Sequence, residues 1–91
     1  VVTIHEFDSD EQAVEMANST QYGLAGSVWS KSKGREIAEK IDSGMVWVNT
    51  WLHRDLRVPF GGVKDSGVGR EGGLWSVGFF SEAVNICIME D

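Results

Sequence analysis

Residues 59–72 read Pro59-Phe60-Gly61-Gly62-Val63-Lys64-Asp65-Ser66-Gly67-Val68-Gly69-Arg70-Glu71-Gly72, and the fold turns on how this stretch is understood. Its last six residues, GVGREG, spell the dinucleotide-binding pattern G-x-G-x-x-G. That pattern has physical meaning only in context. An apolar strand must run into the first glycine, and a helix must open behind the third so that its N-terminus meets a pyrophosphate. A short helix is available in Leu74 to Phe80. The strand is missing, because Pro59 to Ser66 is a run of loop formers without the continuous apolar stretch of a buried parallel strand. The acidic ribose partner expected about 20 residues further on has only Glu90 or Asp91 to fill it, at the chain end. The spelling is therefore not read as a nucleotide site, and the isolated chain is expected to have no NAD affinity.

Outward from this stretch the pattern becomes regular. Met45-Val46-Trp47-Val48 is almost wholly apolar and predicts a central strand buried on both faces. Before it, Ile37, Ala38 and Ile41 recur at the spacing of a buried helical stripe, with Ser32 or a neighbour as cap and Gly44 at the C′ position. Ser27 to Ser30 predicts a short strand after a turn at Tyr22 to Gly26. Asp8-Ser9-Asp10-Glu11-Gln12 carries helix-start chemistry for a helix over about Asp10 to Asn18, with Ala13, Met16 and Ala17 on one face. Val1 to Phe7 and Ala83 to Met89 alternate like strands. From Asn49 to Gly73 periodicity vanishes, and a connection that long is usually functional. The order strand, helix, strand, helix, strand predicts an α/β fold, a partial β-α-β-α-β unit with parallel pairing through crossover helices.

Composition narrows the function. Fourteen acidic residues against eight basic ones give a net charge of −6, which disfavours nucleic acid and anionic membrane as partners. No apolar run approaches the roughly 20 residues of a membrane span. A single cysteine excludes an internal disulfide and fits a reducing, cytoplasmic setting. Ninety-one residues allow one domain, and a chain of this size buries only roughly 60–65 % of its unfolded surface. Opening directly on Val1-Val2-Thr3-Ile4, it reads as a piece of something longer.

Taken whole, Val46 to Asn49 followed by Pro59 to Glu71 resembles the C-terminal signature of the aldehyde dehydrogenase superfamily. Ala17-Asn18-Ser19-Thr20-Gln21-Tyr22-Gly23-Leu24-Ala25-Gly26 and Phe79-Phe80-Ser81-Glu82 are similar to that family too, at matching distances. The resemblance implies an enzyme that oxidises an aldehyde to an acid with NAD or NADP, using a cysteine nucleophile and a glutamate-activated water. It places those two residues and the cofactor pocket outside the present chain, and gives the glycines a role in turns and close packing. It further implies that residues 1–80 belong to the catalytic domain. Residues 81–91 would form an oligomerisation strand, the parent being a homodimer or homotetramer. A stand-alone interaction module derived from the same fold, without catalysis, is the competing expectation.

The resemblance also suggests roles for single residues. Phe60 falls where relatives wall the aldehyde tunnel, or it anchors the loop under the mouth. Arg54 and Arg57, in Trp51-Leu52-His53-Arg54-Asp55-Leu56-Arg57, resemble the branch that handles 2-aminomuconic and 2-hydroxymuconic semialdehydes. A guanidinium fork suits the carboxylate such substrates carry; the bland alternative is a solvated loop with Asp55 neutralising one arginine. Lys64 and Gly67 match positions whose backbone carbonyls bind a monovalent cation in some members, and Glu71 matches a supporting carboxylate in betaine aldehyde relatives. Asn49 is expected to tie down the loop after its strand. Cys87, between Ile86 and Ile88 without a basic neighbour, reads as a packing residue rather than a nucleophile. His53 reads as solvent-facing with no metal role, and the four tryptophans read as core or interface anchors.

Overall fold

All regular structure among the described residues lies between Asp10 and Phe80 of the computed structural model, which describes residues 1–90. Helix α1, Asp10–Ala17, starts where the sequence places its cap: the Ser9 hydroxyl accepts from the Gln12 N–H at 3.1 Å. The Gln12 side-chain oxygen reaches back to the Asp8 N–H at 2.6 Å, so two orphan donors are satisfied reciprocally. Asp10 and Glu11 place negative charge at the positive end of the helix dipole.

Two strands and the helix between them form the predicted crossover. Strand β2, Ala25–Val28, pairs in parallel with β3, Met45–Val48, in the register Ala25↔Met45 to Val28↔Val48. Helix α2, Gly34–Ala38, packs on both. β2 begins two residues earlier than Ser27, because Ala25 and Gly26 extend the ladder through what the sequence presents as a turn. Ser32 is not the cap of α2. The neighbouring Lys33 holds the cap position without a side-chain cap bond, and its own N–H donates to the Ser30 hydroxyl at 3.1 Å. Strand β3 is half-buried rather than buried on both faces, since a two-stranded sheet under a five-residue helix offers too little surface to enclose it.

Gly44 does not end α2, whose last helical residue is Ala38. Its absent side chain serves a different purpose: a Cβ there would collide with the Gly61 carbonyl. Only a glycine lets the chain entering β3 lie against the Phe60-Gly61-Gly62 backbone. A second sheet locks the same region, with β1, Tyr22–Gly23, antiparallel to β4, Val63–Lys64. An isolated bridge joins Phe60 to Glu71, and helix α3, Gly73–Phe80, follows.

Val1 to Phe7 and Ala83 to Met89 carry no strand structure. A strand exists only through its ladder, and neither segment finds a partner among the described residues. Cys87 is accordingly exposed rather than packed. Asp91, the end of the segment read as an oligomerisation strand, lies outside the described residues. The Cα radius of gyration is 18.6 Å, against about 12 Å for a compact chain of this length. No apolar side chain among the described residues is buried, and Trp29, Trp51 and Trp75 are all more than half exposed. They are not core residues of this chain by itself.

Candidate functional site

The aperiodic segment folds back over β3. Asn49 leaves the strand at φ 55° and Leu52 sits at φ 57°, a left-handed conformation rare for leucine. The Trp47 indole N–H donates to the His53 carbonyl at 2.9 Å, and Trp51 stacks edge-on against Trp47 with centroids 5.1 Å apart. Between this loop and β3 opens a cleft of about 260 Å³, whose lining includes Met45, Trp47, His53, Arg54, Asp55 and Phe60. Arg54 and Phe60 meet there, the guanidinium carbon standing 4.0 Å from the ring centroid in a cation–π contact. Phe60 is held by its backbone, donating to the Glu71 carbonyl at 2.7 Å and accepting from the Glu71 N–H at 2.8 Å. Glu71 thus joins the site through its main chain.

Arg57 is turned elsewhere. Its Nε donates to Asp55 Oδ1 at 2.9 Å, its Nη2 to Oδ2 at 2.5 Å, and its backbone N–H to Oδ1 at 2.9 Å. These bonds to Arg57 hold the Asp55 carboxyl below the usual carboxylate range, and the same pair raises the Arg57 guanidinium. Among the described residues no carboxylate lies within salt-bridge distance of Arg54. The structure therefore separates two arginines that the sequence presents as a pair: one faces an aromatic ring in the cleft, the other is committed to Asp55.

Lys64, at φ 53°, sends its ammonium to the carbonyls of Asn18 and Thr20, each at 3.2 Å, and to the Asp42 carboxylate at 3.3 Å. Its own carbonyl accepts from the Gly67 N–H at 3.4 Å. Asn49 ties down the exit of β2, not the loop that follows it. Its amide exchanges two 2.9 Å bonds with the backbone of Ser30, because left-handed φ at Asn49 turns the side chain back across the sheet. His53 is exposed and enters the cleft mainly as a backbone acceptor.

The residues before Gly67 do not form the parallel strand that a dinucleotide fingerprint needs. β4 is two residues long and antiparallel, and a Cβ at Gly72, φ 111°, would strike the Val58 carbonyl. The position ahead of α3 is filled by protein backbone, so no cofactor step is assigned to these residues.

Three side chains that the sequence reading passed over hold the site together. Arg70 donates to the carbonyls of Gly62 at 2.6 Å and Gly69 at 2.9 Å, bracing the glycine loop from within. The Ser66 hydroxyl accepts from the Gly23 N–H at 2.9 Å. Asn18 clamps the end of α1 to the exit of α2, donating to the Lys40 carbonyl at 2.9 Å and accepting from the Asp42 N–H at 2.8 Å. For Arg70 and Ser66 the advance signal is a polar residue beside a glycine, where loop backbone groups need partners.

This α/β crossover with a glycine-braced loop over its parallel strands is the architecture of a known class, and the profile of the aldehyde dehydrogenase family matches residues 1–86. The chain belongs to that family. Among particular relatives, it is 51% identical over 87 residues to 2-hydroxymuconic semialdehyde dehydrogenase of Pseudomonas putida, covering 93% of this chain and 18% of that one. It is 51% identical over 90 residues to 2-aminomuconic semialdehyde dehydrogenase of Mus musculus, covering 97% and 18% respectively. Among solved structures, HpcC from Thermus thermophilus superposes with a TM-score of 0.81 at 40% identity, over 84% of this chain and 15% of that one. An aldehyde dehydrogenase of Mycobacterium tuberculosis complexed with NAD+ gives a TM-score of 0.78 at 44% identity, over 84% and 16%. The chain thus spans less than a fifth of the length of these relatives. No helix among the described residues is long and apolar enough to cross a membrane.

Proposed function

We propose that this chain is the C-terminal part of an NAD(P)-dependent aldehyde dehydrogenase that oxidises a carboxylate-bearing semialdehyde to the acid. Arg54 binds the distal carboxylate and Phe60 walls the substrate path. The observation that carries this reading is Arg54 itself, lining the cleft over Phe60 without a carboxylate partner among the described residues. The resemblance to two muconic semialdehyde dehydrogenases supports the same substrate class. Nucleophilic cysteine, general base and nucleotide pocket are assigned to the rest of the parent enzyme, and the chain alone is inactive. Residues 1–80 form part of the catalytic domain and 81–91 the oligomerisation strand of a cytoplasmic homo-oligomer. A monovalent cation is assigned to the Lys64 and Gly67 carbonyls, the first of which also accepts the Gly67 N–H.

The test is Arg54→Ala in the full enzyme. KM for 2-hydroxymuconic semialdehyde should rise by about 10- to 200-fold, the scale of a lost charge-assisted hydrogen bond, while hexanal kinetics hold. Equal losses on both aldehydes would mean that Arg54 supports the loop and would remove the substrate assignment. A second reading, an interaction module without catalysis, is favoured by the exposed apolar residues Ile4, Val84, Ile86 and Ile88. A coding sequence upstream of Val1 that supplies a cysteine nucleophile and a nucleotide-binding half would decide against it.

A further inference from the structure

Arg54 and Asp55 are neighbours in sequence and both line the cleft, where Asp55 is the one carboxylate among the described residues. Left to itself, a carboxylate tethered one residue away reaches millimolar effective concentration beside the guanidinium, enough to compete with a dissolved substrate. The Asp55 side chain is instead gripped at both oxygens: Oδ1 accepts from the Arg57 N–H and Nε, and Oδ2 from Nη2. The fork and the backbone N–H together fix its orientation, which a single exposed ion pair does not. Arg57 does not line the cleft, and its side chain is 88% exposed.

We infer that the Asp55–Arg57 clasp is a selectivity device: by committing the Asp55 carboxylate to Arg57, it keeps Arg54 open to the distal carboxylate of the substrate. The inference rests on Arg54 being the substrate anchor, and it makes Asp55 and Arg57 positioning residues that act through Arg54. Its signature is a recovery that simple loss of structure does not produce. Arg57→Ala releases Asp55 toward Arg54 and weakens the carboxylated substrate. Adding Asp55→Asn removes the competitor and restores it.

The experiment measures, in the full enzyme, the ratio of KM for 2-hydroxymuconic semialdehyde to KM for hexanal. For Arg57→Ala the ratio should rise about two- to fivefold, the scale of one exposed ion pair formed between Asp55 and Arg54. For the Asp55→Asn/Arg57→Ala double variant it should return to the parent value, and Arg57→Lys should lie between. A double variant as impaired as Arg57→Ala, or an Arg57→Ala ratio that does not move, overturns the clasp. Arg54→Ala separates the two levels: if it spares the ratio, the substrate assignment fails. If it raises the ratio while the double variant shows no recovery, only the clasp fails.

Discussion

The guanidinium carbon of Arg54 stands over the Phe60 ring, 4.0 Å from its centroid, and Phe60 is in turn bridged through its backbone to Glu71. A flexible cation on an aperiodic loop is thereby seated on a ring whose own backbone is fixed at both N–H and C=O. A cation–π contact uses the charge of the guanidinium and not its N–H donors, so an aromatic platform and a carboxylate can share one arginine.

Replacing the platform should therefore matter even though leucine is apolar too. Phe60→Leu in the full enzyme is expected to raise KM for a carboxylated semialdehyde about two- to fivefold relative to a neutral aldehyde, the scale of an exposed cation–π contact. Arg54→Lys should recover only part of the Arg54→Ala loss, because an ammonium keeps the charge but not the fork. Steady-state kinetics on the two aldehydes checks both; an unchanged ratio for Phe60→Leu would show that the ring does not orient Arg54.

Gly44 and Gly26 offer a matched pair. A Cβ at Gly44 would overlap the Gly61 carbonyl, whereas at Gly26 the nearest atom is the Ile41 Cγ2 at 3.4 Å, an ordinary contact. Gly44→Ala should destabilise the enzyme by about 2–4 kcal/mol or prevent soluble accumulation, since backbone must shift. Gly26→Ala should stay within about 1 kcal/mol. Urea midpoints of the two variants decide the matter, and similar values would contradict the close approach.

The clasp has a pH signature. Asp55 is depressed in the folded chain from a reference of 3.8, chiefly by the side-chain hydrogen bond from Arg57 and then by the backbone N–H. A depressed carboxylate contributes its interaction above the unfolded pKa and loses it as pH falls through the lower folded value. The clasp should thus be intact at neutral pH and throughout the range above about pH 4. It should open only in stronger acid. Carbon-detected NMR of the Asp55 carboxyl should give a midpoint below that of a free aspartate; in Arg57→Ala the midpoint should move up toward it.

Exposed apolar surface on the lone chain leads to a prediction about assembly. With a radius of gyration of 18.6 Å and no buried apolar side chain among the described residues, the isolated chain should self-associate or melt without cooperativity. It should also show no micromolar NAD binding by calorimetry. A monodisperse monomer with a sharp thermal transition would contradict the first expectation, and NAD binding lost in Gly69→Val without unfolding would contradict the second.

The sequence by itself determined whatever short-range chemistry controls. The Ser9 cap and its Gln12 partner, the apolar run Met45–Val48, and the strand–helix–strand crossover of β2, α2 and β3 all follow from residues within one helical turn or one strand of each other. The lack of a long strand ahead of GVGREG was legible in the same way, from the loop formers that precede it. Tertiary structure alone decided the rest. Val1 to Phe7 and Ala83 to Met89 alternate as strands do, yet a strand needs a partner that local pattern cannot supply. Gly44 looked like a helix end, and only the nearness of Gly61, seventeen positions on, gives its missing side chain a purpose. Most of all, Arg54 and Arg57 were alike as letters. Which of them faces the cleft depended on where Asp55 pointed, and that direction is set by the fold of the whole loop across β3, not by the spacing of three charges along it.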